Sequence, residues 1–174
     1  CSVIAGSNDG GGNSGSDYAL FQLNNAIPQS YNAFYNGWNA DNVASSSGVS
    51  LHHPSGDIMK ISTYTSNLQS SSWGGGASGS HWRVYWSSTA NGHGVTEGGS
   101  SGAPLFDSQG RIVGQLTGGG SYCSSPNSPD QYGKMSYNWQ SNSNGDDLKD
   151  WLDPNNSGVT TLSGMYCGGS TALD

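Results

Sequence analysis

Residues 95–119 read VTEGGSSGAPLFDSQGRIVGQLTGG, and the fold is decided in this stretch. Its kernel, Gly99-Ser100-Ser101-Gly102-Ala103-Pro104, has the form G-x-S-G-x-P. A serine in a glycine-flanked tight turn presents its hydroxyl outward. Its small neighbours let the N–H groups of Gly99 and Ser101 converge where a tetrahedral oxyanion would form. In a chain with 28 glycines the kernel alone reads as a linker. Its surroundings do not. Pro104–Phe106 is an apolar strand, Asp107–Gly110 a hairpin turn and Arg111–Leu116 a return strand. Thr117-Gly118-Gly119 then offers an edge poor in side chains, onto which a peptide could add by main-chain hydrogen bonds.

Outward from this hairpin, alternation predicts further strands at Asp17–Leu23, Ala33–Trp38, Val49–His53, Ile58–Tyr64, Trp82–Trp86 and Tyr132–Trp139. Turn signals separate them, among them Asn36-Gly37, Ser55-Gly56-Asp57, Gly74-Gly75-Gly76 and Asn144-Gly145. Residues 1–16, with their glycine cluster, read as turn and loop. One segment reads as helix: Asp146–Leu152 has acids in its first turn and Leu148, Trp151 and Leu152 at i, i+3 and i+4, with Pro154 ending it. The outline is an all-β barrel or sandwich closed by a short C-terminal helix.

Composition narrows the function. Only 10% of residues are charged and 32% hydrophobic, which could signal disorder, but six Trp and nine Tyr argue against it. A net charge of −7 opposes binding to nucleic acid or an anionic membrane and is compatible with a cationic substrate. No run approaches the roughly 20 apolar residues that span a bilayer. H-E-x-x-H, C-x-x-C and EF-hand patterns are all lacking, so neither a metal site nor a cofactor is expected. Three cysteines, Cys1, Cys123 and Cys167, leave one over after any single disulfide. The chain opens at Cys1 in mid-pattern, as a cleaved or truncated product does.

The layout of residues 95–119 resembles the nucleophile loop and following hairpin of the chymotrypsin-like serine proteases, and Ser101 matches their nucleophile. Asp17-Tyr18-Ala19-Leu20-Phe21-Gln22-Leu23 resembles the D-x-A-L-x-x-L strand that presents the triad aspartate in that family. A carboxylate there can be buried against a histidine, fixing its tautomer and stabilising the imidazolium. Isolated, Asp17 reads as a surface turn cap. Standing about eighty residues before the matching serine loop, in the family's order, it reads as catalytic.

Other segments resemble the lysine-specific branch, the lysyl endopeptidases: Gly37-Trp38-Asn39, His52-His53-Pro54, Trp73-Gly74-Gly75-Gly76, Val95-Thr96-Glu97, Gly114-Gln115-Leu116, Asp130-Gln131-Tyr132-Gly133 and Asp150-Trp151-Leu152-Asp153-Pro154. The resemblance implies a secreted, extracellular serine endopeptidase acting on polypeptides. It implies that Asp130 meets the substrate's lysine cation, since an ammonium entering a desolvated pocket needs an opposite charge. Trp73 is implied at the active-site rim, although a buried Trp is the commoner arrangement. The branch places a histidine where this chain has Thr117, so a stacked imidazole is expected to be absent.

The implied fold is a chymotrypsin-like Greek-key β-barrel. Residues 1–30 are expected to be a remnant of the N-terminal barrel and the crossover, carrying the aspartate strand. Residues 31–174 are expected to be the C-terminal barrel with its nucleophile loop, specificity pocket and helix. The family's general base precedes the aspartate, yet His52, His53, His81 and His93 all follow Asp17. The base is therefore expected from an N-terminal fragment of the same protease, without which the chain should hydrolyse almost nothing. Two alternatives remain: a protease of the same fold that accepts arginine as well as lysine, and an inactive peptide-binding module.

Overall fold

The computed structural model describes residues 1–10, 14–141 and 145–166. The strands, in chain order, are β1 Ser2–Gly6, β2 Ala19–Gln22, β3 Phe34–Tyr35, β4 Trp38–Asn39, β5 Gly48–His52, β6 Lys60–Tyr64, β7 Gln69–Ser71, β8 His81–Val84, β9 Ser88–Thr89, β10 Gly92–His93, β11 Pro104–Phe106, β12 Ile112–Gly119 and β13 Asp130–Lys134. Two short helices follow, α1 Met135–Gln140 and α2 Lys149–Leu152, then β14 Thr161–Leu162 and β15 Met165–Tyr166.

The main sheet runs β6-β5-β11-β12-β13-β8-β7, with β4 and β14 attached beside β12. Every pairing along that path is antiparallel. β5 pairs with β6 and also with β11, which lies far along the chain, so the order is that of a Greek key. Just past β8, the Ser87 N–H donates to Thr63 O of β6 at 2.8 Å and the Ser87 hydroxyl accepts from Thr65 N–H. The sheet thus closes on itself as a barrel, and the fold is all-β.

Its interior holds Tyr64, Leu68, Trp82, Val84, Trp86, Leu105, Val113, Leu116 and Tyr132. Not every inward position is apolar. β5 and β6 turn Ser50, His52 and Ser62 inward and leave Leu51 and Ile61 exposed. Buried hydroxyls are tolerable only when bonded, and Ser50 donates to Pro104 O while accepting from the Tyr132 hydroxyl.

A second cluster, Ala5, Tyr18, Trp38, Ala40, Met135, Trp139 and Leu148, lies outside the barrel and fastens β1, β2 and the helices to it. Trp38 and Trp139 meet at 4.8 Å between ring centroids. The β1–β2 hairpin forms a separate two-stranded sheet held by this packing.

Three expectations need correction. Residues 1–16 are not all loop: Val3 and Ile4 have the β-branching that suits a strand, and Ser2–Gly6 pairs with β2. Tyr132–Trp139 is not one strand, because β13 stops at Lys134 and α1 begins. The buried residues Met135, Asn138 and Trp139 fall at i, i+3 and i+4, a helical period that the alternating Tyr137 and Trp139 obscured. The terminal helix is a single turn, Lys149–Leu152, and Trp151 of its supposed apolar stripe is 46% exposed. Asn144, half of the Asn144-Gly145 turn, and Cys167 lie outside the described residues.

Leu105, with no exposure, should be critical to the interior. Leu105→Ala is expected to cost about 2–5 kcal/mol in urea denaturation, whereas Leu162→Ala on the surface should change stability by less than about 0.5 kcal/mol. Equal costs would contradict this assignment of inside and outside.

Candidate active site

The residues between β10 and β11 form a tight loop against β12. Gly99 and Gly102 take φ of +95° and +80°, a region that side chains other than glycine's enter at a cost. Between them, Ser100 is 1% exposed and Ser101 is open to solvent. The Ser100 N–H donates to Glu97 O, and the Ala103 N–H donates to Ser100 O, both at 3.0 Å. Two further bonds clamp the loop to the barrel: Gly102 N–H to Leu116 O at 2.8 Å, and Leu116 N–H to Ala103 O at 2.9 Å. Among the described residues, the N–H groups of Gly99 and Ser101 and the Ser101 hydroxyl have no hydrogen-bond partner in the protein. Two free amides thus flank a free hydroxyl.

Asp17 is half-buried at the entry to β2, with φ of +56°. Its N–H donates to an Asp9 carboxylate oxygen at 2.9 Å. The Gln115 side-chain amide of β12 donates to Ser16 O at 2.7 Å and to Asp17 O at 3.3 Å. Burial raises the Asp17 carboxyl above the usual carboxylate range, a hydrogen bond from the Thr117 side chain opposes that rise, and the neighbouring Asp9 charge adds to it. Gln115, Leu116 and Thr117 are consecutive, so Asp17 and the loop bearing Ser101 are fastened to the same few residues of β12.

Thr117 has a second partner. His81 of β8 sits fully buried, its Nε2 3.1 Å from Thr117 Oγ1 and its Nδ1 2.7 Å from Ser80 Oγ. The Ser80 hydroxyl also donates to Ala77 O at 2.7 Å, so the buried imidazole bridges the Ser80 and Thr117 oxygens. The expected histidine is absent from position 117, yet an imidazole reaches that position from β8.

Beyond Thr117, Gly118 and Gly119 pair with Gln131 and Asp130 of β13 and, among the described residues, have no strand on their other side. The half-buried Trp73 indole lies against Gly118; a Cβ there would come within 3.0 Å of the ring. A cavity of about 490 Å³ opens beside this edge, lined by Trp73, Thr96, Ser101, Gly118, Gly119 and Ser121. Behind its wall, with no exposure, lies Asp130. One Asp130 oxygen, Oδ2, accepts from Trp86 Nε1 at 2.6 Å, Thr96 Oγ1 at 2.7 Å and Ser121 Oγ at 2.5 Å. The other, Oδ1, accepts only from Ser121 N–H at 3.0 Å. Oδ1 faces Gly119, where a Cβ would stand 2.0 Å away. Among the described residues no cation pairs with Asp130; the ion pair present joins Lys60 to Asp57. A larger cavity of about 660 Å³, lined by Met59, Ile61, Val95 and Cys123 among others, lies behind the loop and does not reach Ser101.

The family model for the lysyl endopeptidase C-terminal domain matches residues 2–133, and so takes in Asp17, Ser101 and Asp130. This chain belongs to that family. A lysyl endopeptidase of Pseudomonas aeruginosa is 36% identical over 117 residues, a match covering 64% of this chain and 23% of that relative. The chain therefore spans only about a quarter of the length of the relative it matches.

Within this lysyl endopeptidase domain, Ser101, Gly118, Gly119 and Trp73 share one cavity wall. Asp17 joins them through Thr117, and Asp130 stands one layer back. Sequence reasoning missed the Asp130 ring of Thr96, Ser121 and Trp86, although Val95-Thr96-Glu97 had been noted for its resemblance. Among the described residues, no group of three His, Cys, Asp or Glu side chains could hold a metal ion. Cys1 and Cys123 are exposed and unpaired.

Burial lowers the His81 imidazole from its usual 6.5 to about 4; Asp9 opposes this and Lys134 reinforces it. The unfolded chain takes up this proton near pH 6.5 and the folded one only near pH 4. Stability from the neutral ring is thus complete above 6.5 and lost as pH falls towards 4. Proton NMR should show the His81 ring unprotonated at pH 5.5, and His81→Gln should flatten the stability–pH curve between those values. Titration of His81 near 6.5 would contradict its burial.

Proposed function

We propose that this chain is the C-terminal portion of a secreted serine endopeptidase that cuts after lysine. The observation that carries the reading is one cavity and the carboxylate behind its wall. On its wall an exposed serine hydroxyl stands beside two unpaired amides; behind the wall lies a buried carboxylate that has no counter-ion among the described residues. A buried charge lacking a partner is costly, and a substrate lysine would supply the missing cation. It would reach the Oδ1 side of Asp130, which has accepting capacity left, past Gly119 and the hydroxyls of Thr96 and Ser121.

In this mechanism the peptide lies along Thr117–Gly119 and under Trp73. Ser101 Oγ attacks the carbonyl carbon of the lysine residue while a histidine takes its proton. The Gly99 and Ser101 amides hold the oxyanion. The histidine returns the proton to the leaving amine, and water then hydrolyses the acyl-enzyme. Asp17 orients that histidine.

The histidine comes from outside this stretch. His52 and His81 are buried with both nitrogens bonded, His53 bonds Asp57 O, and His93 bonds Gly94 O. Residues 1–30 then belong with an N-terminal barrel that brings the base, and residues 31–174 form the C-terminal barrel. The outer face of the hairpin supports this division, since Val3 and Phe21 are paired and are 61% and 55% exposed. Exposed Cys1 and Cys123 suit disulfides to such a segment in an oxidising, extracellular setting.

Two measurements on the full-length protein test this. A fluorophosphonate probe should label Ser101 and fail on Ser101→Ala; well-folded protein that resists labelling would be a peptide-binding module instead. Asp130→Asn should lower kcat/KM for lysyl substrates by about two to three orders of magnitude, as expected for losing one partner of a buried ion pair. Unchanged preference would remove Asp130 from the pocket, and equal cleavage after arginine would favour the broader specificity.

A further inference from the structure

Ser100 stands beside the exposed serine yet is almost wholly buried. A buried hydroxyl needs a partner, and this one faces an imidazole: His52 Nδ1 lies 3.0 Å from Ser100 Oγ. His52 ends β5 and is 3% exposed. Its Nε2 lies 2.9 Å from Ser62 Oγ of β6, and Ser62 in turn donates to Val95 O at 3.2 Å.

These contacts assign the hydrogens. Ser62 has one hydroxyl hydrogen and gives it to Val95 O, so its oxygen accepts from His52 Nε2–H. His52 Nδ1 is then bare and accepts the Ser100 hydroxyl hydrogen. The ring therefore ties the loop at two places five residues apart: Ser100 directly and Val95 through Ser62. A doubly protonated ring could not accept from Ser100. Burial lowers the His52 imidazole below its usual value, with Asp130 opposing and His53 reinforcing that shift.

The residues after His52 support the same loop. The Ser55 N–H donates to Gly98 O at 2.7 Å, and the Ser55 hydroxyl donates to the Glu97 carboxylate at 2.8 Å. A Cβ on Gly99 would come within 3.2 Å of His53 O. The segment His52–Ser55 thus cradles Glu97–Ser100, the backbone that aims the Gly99 and Ser101 amides.

We propose that His52 is a positioning residue for the oxyanion site: its imidazole, bridging Ser62 and Ser100, holds the nucleophile loop so that the Gly99 and Ser101 amides converge. This inference rests on reading Ser101 as the nucleophile. His52 itself touches no reacting atom, since both its nitrogens are spent on Ser62 and Ser100.

The test uses the full-length protein and two readouts. Nitrogen-15 NMR of the wild type should show the His52 ring protonated at Nε2 and bare at Nδ1; the opposite tautomer, or a ring charged at neutral pH, overturns the proposal without reference to activity. In kinetics on a lysyl peptide, His52→Phe and Ser100→Ala should each lower kcat by about 100-fold, the scale of a displaced oxyanion donor. KM should stay within about threefold, because the loss falls on the transition state. The double variant should be no worse than the singles, and His52→Asn, which keeps an acceptor near the Nδ1 position, should recover part of kcat. Independent, additive losses, or kcat unchanged in folded variants, would overturn the proposal. If a variant does not fold, the wild-type tautomer still decides. Wild type that no fluorophosphonate labels at Ser101 would defeat the protease reading instead, leaving the tautomer as a test of the loop geometry.

Discussion

Five consecutive residues of β12 hold the whole arrangement. Gln115 bonds the carbonyls of Ser16 and Asp17, and Leu116 exchanges backbone bonds with Gly102 and Ala103 of the loop that bears Ser101. Thr117 bonds the Asp17 carboxyl, Gly118 abuts Trp73, and Gly119 leaves space for Asp130. A β-strand extends about 3.3 Å per residue, so these contacts fall within the length of a short peptide. Leu116, buried in the barrel core, anchors the segment. The strand's pairing with β11 reaches Gln115, and the edge of the two glycines beyond it lies beside the exposed serine.

The electrostatics follow from that geometry. Asp130 is dehydrated and held by four donors, all of them neutral. Hydrogen bonds satisfy the oxygens but do not cancel the charge, so its field reaches the cavity through a thin polar wall. The imidazoles of His52 and His81 sit nearby, and burial lowers both from their usual value. His81 bridges Ser80 and Thr117, and His52 bridges Ser100 and Ser62.

Much of this was legible in the sequence, for identifiable reasons. The G-x-S-G-x-P kernel with its hairpin is local, and local turn chemistry is written in adjacent residues. Asp17 was singled out by its distance from Ser101 in the family's order, and the structure fastens both to β12. What escaped notice was either short or long-range. Ser2–Gly6 was hidden by the glycines that follow it. Tyr137 and Trp139 mimicked strand alternation where Met135, Asn138 and Trp139 form a helical face. β5 and β6 keep strand geometry but turn serines and a histidine inward, the reverse of the usual polarity. The ring around Asp130 joins Trp86, Thr96 and Ser121, residues from separate loops that only the closed barrel brings together. His52-His53-Pro54 carried resemblance without meaning until the barrel placed it against the loop of Gly99 and Ser100.

The most direct test is a crystal structure of the full-length protein with a peptidyl-lysine boronate. The account predicts a bond from boron to Ser101 Oγ and a boronate oxygen about 2.7–3.1 Å from the Gly99 and Ser101 nitrogens. The lysine chain should pass Gly119 towards Asp130, and an imidazole from outside this sequence should bridge Ser101 and Asp17. A boronate bound elsewhere, or Ser101 and Asp17 with no imidazole between them, would contradict it.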